Sequence, residues 1–264
     1  MKPLFTIIST TFNCGDKINR TWESLVGQKF DDFEYMVVDG NSKDGTQDRL
    51  AAMKDPRIHW FSEPDKGIYD AMNKGIGRAN GRFLFFLGAG DLMLPGVLQK
   101  MAPQLPATNA ALVYGNVVMG ADGSIYDGRF TKLKLCCRNI CHQAIFYGSD
   151  VFKLVGNYDL KYRILADWAF NFKCFGEARI EKKFVPISIA MFEAGGVSSG
   201  GDRMFEADKM ALIQNLLGKA TCKRYKIHLW KERVMAEPKQ KMKRLIPRAV
   251  LNAKRQISDQ IAGR

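Results

Sequence analysis

From residue 4 to residue 91, short apolar runs alternate with stretches whose apolar residues recur every three or four positions. Residues 4–10 hold Thr6, Ile7 and Ile8 in a row, a β-branched run that predicts a buried strand. Residues 16–28 place Ile18, Trp22, Leu25 and Val26 on one helical face. The alternation continues with strands predicted over 33–38, 57–62 and 82–87 and helices over 44–53 and 68–79. This βαβαβαβ order predicts a parallel sheet with helices on both faces. Ligands of such sheets bind beyond the carboxyl ends of the strands. The chemistry is therefore expected at 10–13, 39–46, 63–67 and 88–91, all rich in Gly, Asp, Asn or Thr.

The second half is less regular. Residues 111–118 predict a strand, and Asp122-Gly123 between 117–119 and 124–126 predicts a hairpin. A helix is expected over 166–176, strand over 180–192, and a flexible Gly/Ser loop over 195–201. Asp202 is placed to cap a helix over 202–217.

Charge changes the picture at Gly218. The 264 residues carry a formal net charge of +13. Residues 219–264 hold 14 Lys/Arg against three acids, a net of +11, and leave +2 on residues 1–218. The expected organisation is a catalytic unit at 1–218, split into halves at 1–110 and 111–218, with a basic amphipathic helical extension at 219–264. Leu245, Ile246, Val250, Ala253, Ile257 and Ile261 lie near helical spacing among Lys and Arg, and Pro247 should kink that helix. Such a helix suits an anionic membrane surface; packing against the body is the other outcome. A nucleic-acid reader would spread its cations over the folded body, so no nucleic acid is expected. No secretory h-region and cleavage-site pattern opens the sequence, and the six cysteines form no C-x-x-C pair. A reduced, cytoplasmic protein on the inner face of the cell membrane is expected.

Several acids sit at predicted strand ends. Asp39 is positioned to contact a base or ribose, whereas Asp44 and Thr46 suit capping of the next helix. Asp91 follows Gly88-Ala89-Gly90; it suits a divalent cation beside phosphates, or an N-cap. Asp65 either faces a nucleotide or serves a turn. Lys74 and Arg78 either hold a phosphate or lie on a solvated helix face. Asp167, beside Trp168, suits a general base or a helix start, and His142 suits an acceptor contact or a buried structural role.

Taken in order, six segments resemble the family 2 inverting glycosyltransferases of the GT-A fold, over about residues 4–200. They are Thr6-Ile-Ile-Ser-Thr-Thr-Phe-Asn13, Val37-Val-Asp-Gly-Asn-Ser-Lys-Asp-Gly-Thr46, Glu63-Pro-Asp-Lys-Gly-Ile-Tyr-Asp-Ala-Met-Asn-Lys-Gly75, Phe86-Leu-Gly-Ala-Gly-Asp91, Cys141-His-Gln-Ala-Ile-Phe146 and Ala166-Asp-Trp168. The bacterial polysaccharide-building subgroup, including colanic-acid-type transferases, is the most similar. The resemblance implies an α/β fold, a Rossmann-like mostly parallel sheet with added C-terminal helices. It implies transfer of a hexosyl unit from a nucleotide-sugar, such as a UDP-sugar, to a lipid-linked or saccharide hydroxyl acceptor. Thr10, Thr11 and Asn13 would lie beside the nucleoside, with Asp39 and Asp65 in the same pocket. Asp91 would hold Mn²⁺ or Mg²⁺, Asp167 would be the base, and His142 and Trp168 would meet the acceptor. The D-x-D motif reads Ala89-Gly90-Asp91, so its first acid is absent. A polyanion-binding protein and a catalytically degenerate scaffold are the competing readings.

Overall fold

The computed structural model describes residues 2–120, 122–192 and 201–245, with side chains up to Met235 in the last helix. The first half is built from β1 (Phe5–Thr11), α1 (Lys17–Val26), β2 (Phe33–Asp39), α2 (Thr46–Ala52), β3 (Ile58–Ser62), α3 (Ile68–Arg78) and β4 (Phe83–Phe86). β1, β2 and β4 are buried almost throughout, as befits parallel strands covered on both faces. On α1, Ile18, Thr21 and Leu25 take the buried positions at helical spacing.

The second half contains β5 (Leu92–Met93), α4 (Val97–Met101), β6 (Ala111–Met119), β7 (Ile125–Tyr126), α5 (Lys132–Cys137), β8 (Ile145–Gly148), α6 (Ser149–Val155), α7 (Ala166–Gly176) and β9 (Glu181–Phe192). All strands join one sheet in the order β3-β2-β1-β4-β8-β6-β9-β5, with β7 pairing on β6. The expected parallel α/β core is present. β8 enters antiparallel between β4 and β6, and β5 and β7 are also antiparallel to their neighbours. The hairpin expected at Asp122-Gly123 forms as β6–β7, pairing Val117 with Tyr126.

Aromatic packing joins the halves. Phe85 of β4 meets Phe146 of β8 at 4.6 Å between centroids, and Phe170 of α7 stacks on Phe152 of α6 at 5.2 Å. This cluster anchors α7 and so fixes where its first turn points. The C-terminal region continues as α8 (Arg203–Leu212), a π-helical turn at Ile213–Leu217, and α9 (Lys219–Leu245). Asp202 caps α8 by accepting a hydrogen bond from the Phe205 N–H at 3.2 Å. α9 follows Gly218 (φ +92°) and buries Cys222 and Tyr225 in its first turns. The proposed kink at Pro247, the apolar positions from Ile246 onward, and the Gly/Ser loop up to Gly200 lie outside the described residues.

Glu34 shows how polar bonding ties the core. It is buried and accepts from Thr6 Oγ1 at 2.6 Å, Asn80 N at 2.7 Å and Asn80 Nδ2 at 3.1 Å. Glu34→Ala strands these donors. It is expected to cost about 2–4 kcal/mol in urea unfolding, and Glu34→Gln, which keeps an acceptor, to cost less.

Candidate active site

β1 connects outward to β2 on one side and neighbours β4 on the other, so the chain crosses over at its carboxyl end. A switch point of this kind leaves a crevice beyond the strands. A cleft of about 610 Å³ lies there, within the usual range for ligand sites. It is lined by Thr10 to Cys14 and Lys17 after β1, by Ile68, Tyr69 and Met72 of α3, and by Gly88, Ala89 and Asp91 after β4. Asn139 to Gln143 and Arg163 to Trp168, except Ala166, close the other side. Thr10, Thr11, Asn13, Asp91, His142, Asp167 and Trp168 are thus brought to one cavity.

Asp39 stands beneath that wall. The register aligns Thr11 with Asp39 and Asp39 with Ser62. The buried carboxylate accepts from Thr11 Oγ1 (2.9 Å), Ser42 N (3.0 Å), Ser42 Oγ (2.5 Å) and Ser62 Oγ (2.6 Å). Burial pushes its pKa up, but the bonds from Ser42, Ser62 and Thr11 outweigh burial and hold it below the ordinary aspartate value. Asn13 extends the knot. Its N–H donates to Ser42 Oγ at 2.7 Å, and its side-chain oxygen accepts from Lys43 N at 3.0 Å.

Asp65 turns back toward this knot. A Cβ on Gly40 would stand 2.5 Å from Asp65 Oδ2 and 3.3 Å from the Phe12 ring, so only glycine permits this approach. Phe12 itself is 68% exposed at the cleft wall. An exposed aromatic face beside a carboxylate offers stacking and an acceptor to a planar heterocycle.

Lys74 and Arg78 are not with the other candidates. Cleft-lining Ile68, Tyr69 and Met72 share one face of α3, and Lys74 and Arg78 occupy another. Lys74 Nζ lies 3.2 Å from Glu63 and 3.5 Å from Asp70. Arg78 stacks over Phe61 at 3.4 Å and reaches Glu63 at 3.4 Å. Both cations are engaged by Phe61, Glu63 or Asp70 and neither lines the cleft, which agrees with the alternative of a solvated helix face.

Asp91 accepts from Gln143 Nε2, and the turn before it is pinned by Thr21, whose hydroxyl donates to the Asp91 carbonyl at 3.1 Å and accepts from Gly90 N at 2.8 Å. Among the described residues no cluster of three His, Cys, Asp or Glu is disposed to hold a metal. One carboxylate fits Mg²⁺ or Mn²⁺ only where phosphate oxygens and water complete the shell, a common arrangement for Mg²⁺.

Asp167 opens α7 and is 8% exposed. Its Oδ1 accepts from Tyr69 at 2.9 Å and its Oδ2 from Asn139 Nδ2 at 2.7 Å. Asn139 is oriented by Asn171 (2.9 Å), and Asn171 by the Tyr147 hydroxyl (3.0 Å). Burial raises the Asp167 pKa, partly opposed by His142, Tyr69, the Trp168 N–H and Asn139. Burial lowers that of His142. The loop before α7 is held by Asp202, which accepts from Ile164 N at 2.9 Å. Trp168 is partly committed to structure. Its indole N–H donates to Leu135 O at 2.7 Å, and Lys209 lies 4.0 Å over its ring.

Phe12, Lys17, Tyr69, Asn139, Gln143 and Arg163 were not among the sequence-derived candidates. Phe12 had a readable signal, an aromatic inside Thr10-Thr11-Phe12-Asn13 at a strand end. The others lie on helices or loops whose spacing to Asp91 and Asp167 is set only by the tertiary fold.

A Rossmann-like half carrying acids at successive strand ends, closed by a second half that delivers a buried carboxylate, defines a GT-A architecture. The sequence pattern of the Glycosyl transferase family 2 matches residues 6–171, and the chain belongs to that family. A "PGL/p-HBAD biosynthesis glycosyltransferase" of Mycobacterium tuberculosis is 38% identical over 205 residues, covering 75% of this chain and 80% of the relative. Among solved structures, Staphylococcus aureus TarS 1-349 in complex with UDP-GlcNAc superposes with TM-score 0.67 at 18% identity, over 82% of this chain and 67% of that one. The mannosyltransferase PcManGT of Pyrobaculum calidifontis, in complex with GDP-Man and Mn²⁺, gives TM-score 0.59 at 19% identity, over 82% and 62%. The chain thus spans about two thirds of these solved chains, and at such identity the likeness is one of fold.

The Asp39 knot has a stability consequence. Asp39→Ala leaves buried donors of Thr11, Ser42 and Ser62 unpartnered and is expected to cost about 3 kcal/mol or more. Because the folded pKa is depressed, this contribution is present above the unfolded value near about pH 4 and is lost as pH falls below it. Urea midpoints of wild type and Asp39→Asn should therefore converge on acidification.

Proposed function

We propose that this protein transfers a hexosyl unit from a nucleoside-diphosphate sugar, UDP-linked in the first instance, to a hydroxyl of a cell-surface glycan or its lipid-linked precursor, with inversion. The observation that carries the reading is the pairing, in one cleft, of a diphosphate-side carboxylate, Asp91, with a buried and basic carboxylate, Asp167. The biosynthetic name of the mycobacterial relative and the UDP-GlcNAc bound by TarS support the acceptor and donor classes. Residues 1–218 form the catalytic unit in this reading.

The base stacks on Phe12 with Asp65 accepting from its edge, while Thr10, Thr11, Asn13 and Asp39 shape the nucleoside wall. When bound on Asp91, Mn²⁺ or Mg²⁺ neutralises charge on the leaving diphosphate. Asp167 accepts the proton of the acceptor hydroxyl as its oxygen attacks the anomeric carbon. The bond from that carbon to the diphosphate oxygen breaks on the opposite face, so the configuration inverts. His142, kept neutral by burial, offers a hydrogen bond to the acceptor, and the Trp168 ring offers a sugar face an apolar contact. Tyr69 and Asn139 aim the carboxylate.

Asp167→Asn should lower nucleotide release from a panel of UDP-, GDP- and dTDP-sugars by about 10²–10⁴-fold while leaving nucleoside-diphosphate affinity intact. Full transfer by that variant contradicts the assignment. The acid limb of kcat/KM should lie above the ordinary aspartate pKa. Activity requires the carboxylate, and Tyr69 and Asn139 favour it, so Tyr69→Phe or Asn139→Ala should move the limb to still higher pH. A limb that stays put in both variants places the base elsewhere.

The extension at 219–264 brings the enzyme to the anionic inner face of the cell membrane. Ile227, Trp230 and Val234 recur at helical spacing and are 45%, 63% and 46% exposed, flanked by Lys223 and Lys231 and turned away from buried Cys222 and Tyr225. An apolar stripe between cations suits the plane of an anionic bilayer. Among the described residues no helix is long and apolar enough to cross a membrane. Full-length protein should co-sediment with phosphatidylglycerol vesicles, and Ile227→Ser with Trp230→Ser and Val234→Ser should weaken this about tenfold. Equal binding of the variant contradicts the docking face.

A further inference from the structure

The turn that carries Asp91 lacks the carboxylate expected two positions earlier, where Ala89 stands. The structure supplies a cation at that place. Lys17 opens α1 and lines the same cleft as Ala89 and Asp91. A Cβ added to Gly90, whose φ is +97°, would stand 3.4 Å from Lys17 Cβ and 3.5 Å from its Cδ. The aliphatic stem therefore runs along the 89–91 turn, and the ammonium belongs to the cleft.

Lys17 has no ion pair among the described residues, as is true of other lysines such as Lys100 and Lys132, but unlike those it lines the cleft. It also occupies the first turn of a helix that carries no acid there. The partial positive charge of a helix N-terminus disfavours a cation, so helix stability gives no reason for lysine at this position. Arg163 also lines the cleft, four residues before Asp167, but no contact ties it to the 89–91 turn as the Gly90 approach ties Lys17.

We propose that the Lys17 ammonium binds the diphosphate of the donor directly beside Asp91, and that this contact keeps diphosphate binding largely independent of a divalent cation. The inference rests on the nucleotide-sugar reading of the cleft. With two motif carboxylates a divalent cation would be fully neutralised by protein. With one carboxylate and one ammonium the pair is neutral without the metal, so the phosphates meet an ammonium donor and no net negative charge, and it is doubly positive with the metal bound. A charge-assisted bond from a lysine is not directional, so arginine should serve in its place and a neutral side chain of similar length should not.

Calorimetric titration of the full chain with UDP, GDP and dTDP, in EDTA and in saturating Mn²⁺, tests this. Wild type should bind one of them in EDTA. Lys17→Met should weaken that binding about tenfold or more, and should weaken it much less in Mn²⁺; Lys17→Arg should restore it. Lys17 is exposed, so unchanged urea midpoints are expected and separate a binding loss from unfolding. Wild-type binding that needs Mn²⁺, or equal binding by Lys17→Met in EDTA, overturns the Lys17 proposal alone. Failure of wild type to bind any of the three under either condition overturns the nucleotide-sugar reading as well.

Discussion

The site depends first on one buried carboxylate. β1, β2 and β3 end in register at Thr11, Asp39 and Ser62, and Asp39 binds the hydroxyls on both sides as well as the Ser42 loop. Without it, three parallel strands would end in buried donors with no partner. With it, the loops after β1 and β2 are locked together, Asn13 is fixed against Ser42 and Lys43, and Phe12 is left facing the cleft. A wall stiffened in this way would meet the proposed nucleoside already ordered.

The opposite wall uses burial in the other sense. Asp39 receives enough hydrogen bonds to stay a strong acid despite being enclosed, whereas at Asp167 burial outweighs Tyr69, Asn139 and His142 and leaves a more basic group. Two carboxylates with pKa values driven apart have different tasks, one structural and one suited to proton transfer. What holds Asp167 in place is remote from it. The Phe85–Phe146 and Phe152–Phe170 contacts position α7, and the Tyr147–Asn171–Asn139 chain orients one oxygen.

Much of this was legible in the chain because the first half folds by local rules. Each strand there is an apolar run, each helix has one apolar stripe, and the polar segments at the strand ends mark the crevice. Thr10, Asn13, Asp39 and Asp91 could be singled out on that basis; Asp167, at a helix start in the second half, stood out through the Ala166-Asp-Trp168 resemblance. β8 could not, because Ile145–Gly148 is a short apolar run that becomes a strand only by inserting antiparallel between β4 and β6. Tyr69 and Asn139 escaped for a related reason, since they lie 98 and 28 residues from Asp167 and meet it only through the sheet order. Charge alone left Lys74 and Arg78 open between a phosphate pocket and a solvated helix face, because helical phase decides which residues of α3 line the cleft.

The central claim is that a carboxylate at the start of α7 and the donor diphosphate beside Asp91 lie on opposite faces of one anomeric carbon. The most direct measurement is the anomeric configuration of the first-formed product, read by NMR before mutarotation or secondary hydrolysis, from whichever nucleotide-sugar is turned over. Inversion relative to the donor is the predicted result. Retention would contradict the account, because a hydroxyl deprotonated by Asp167 and attacking opposite the leaving diphosphate can give only inversion.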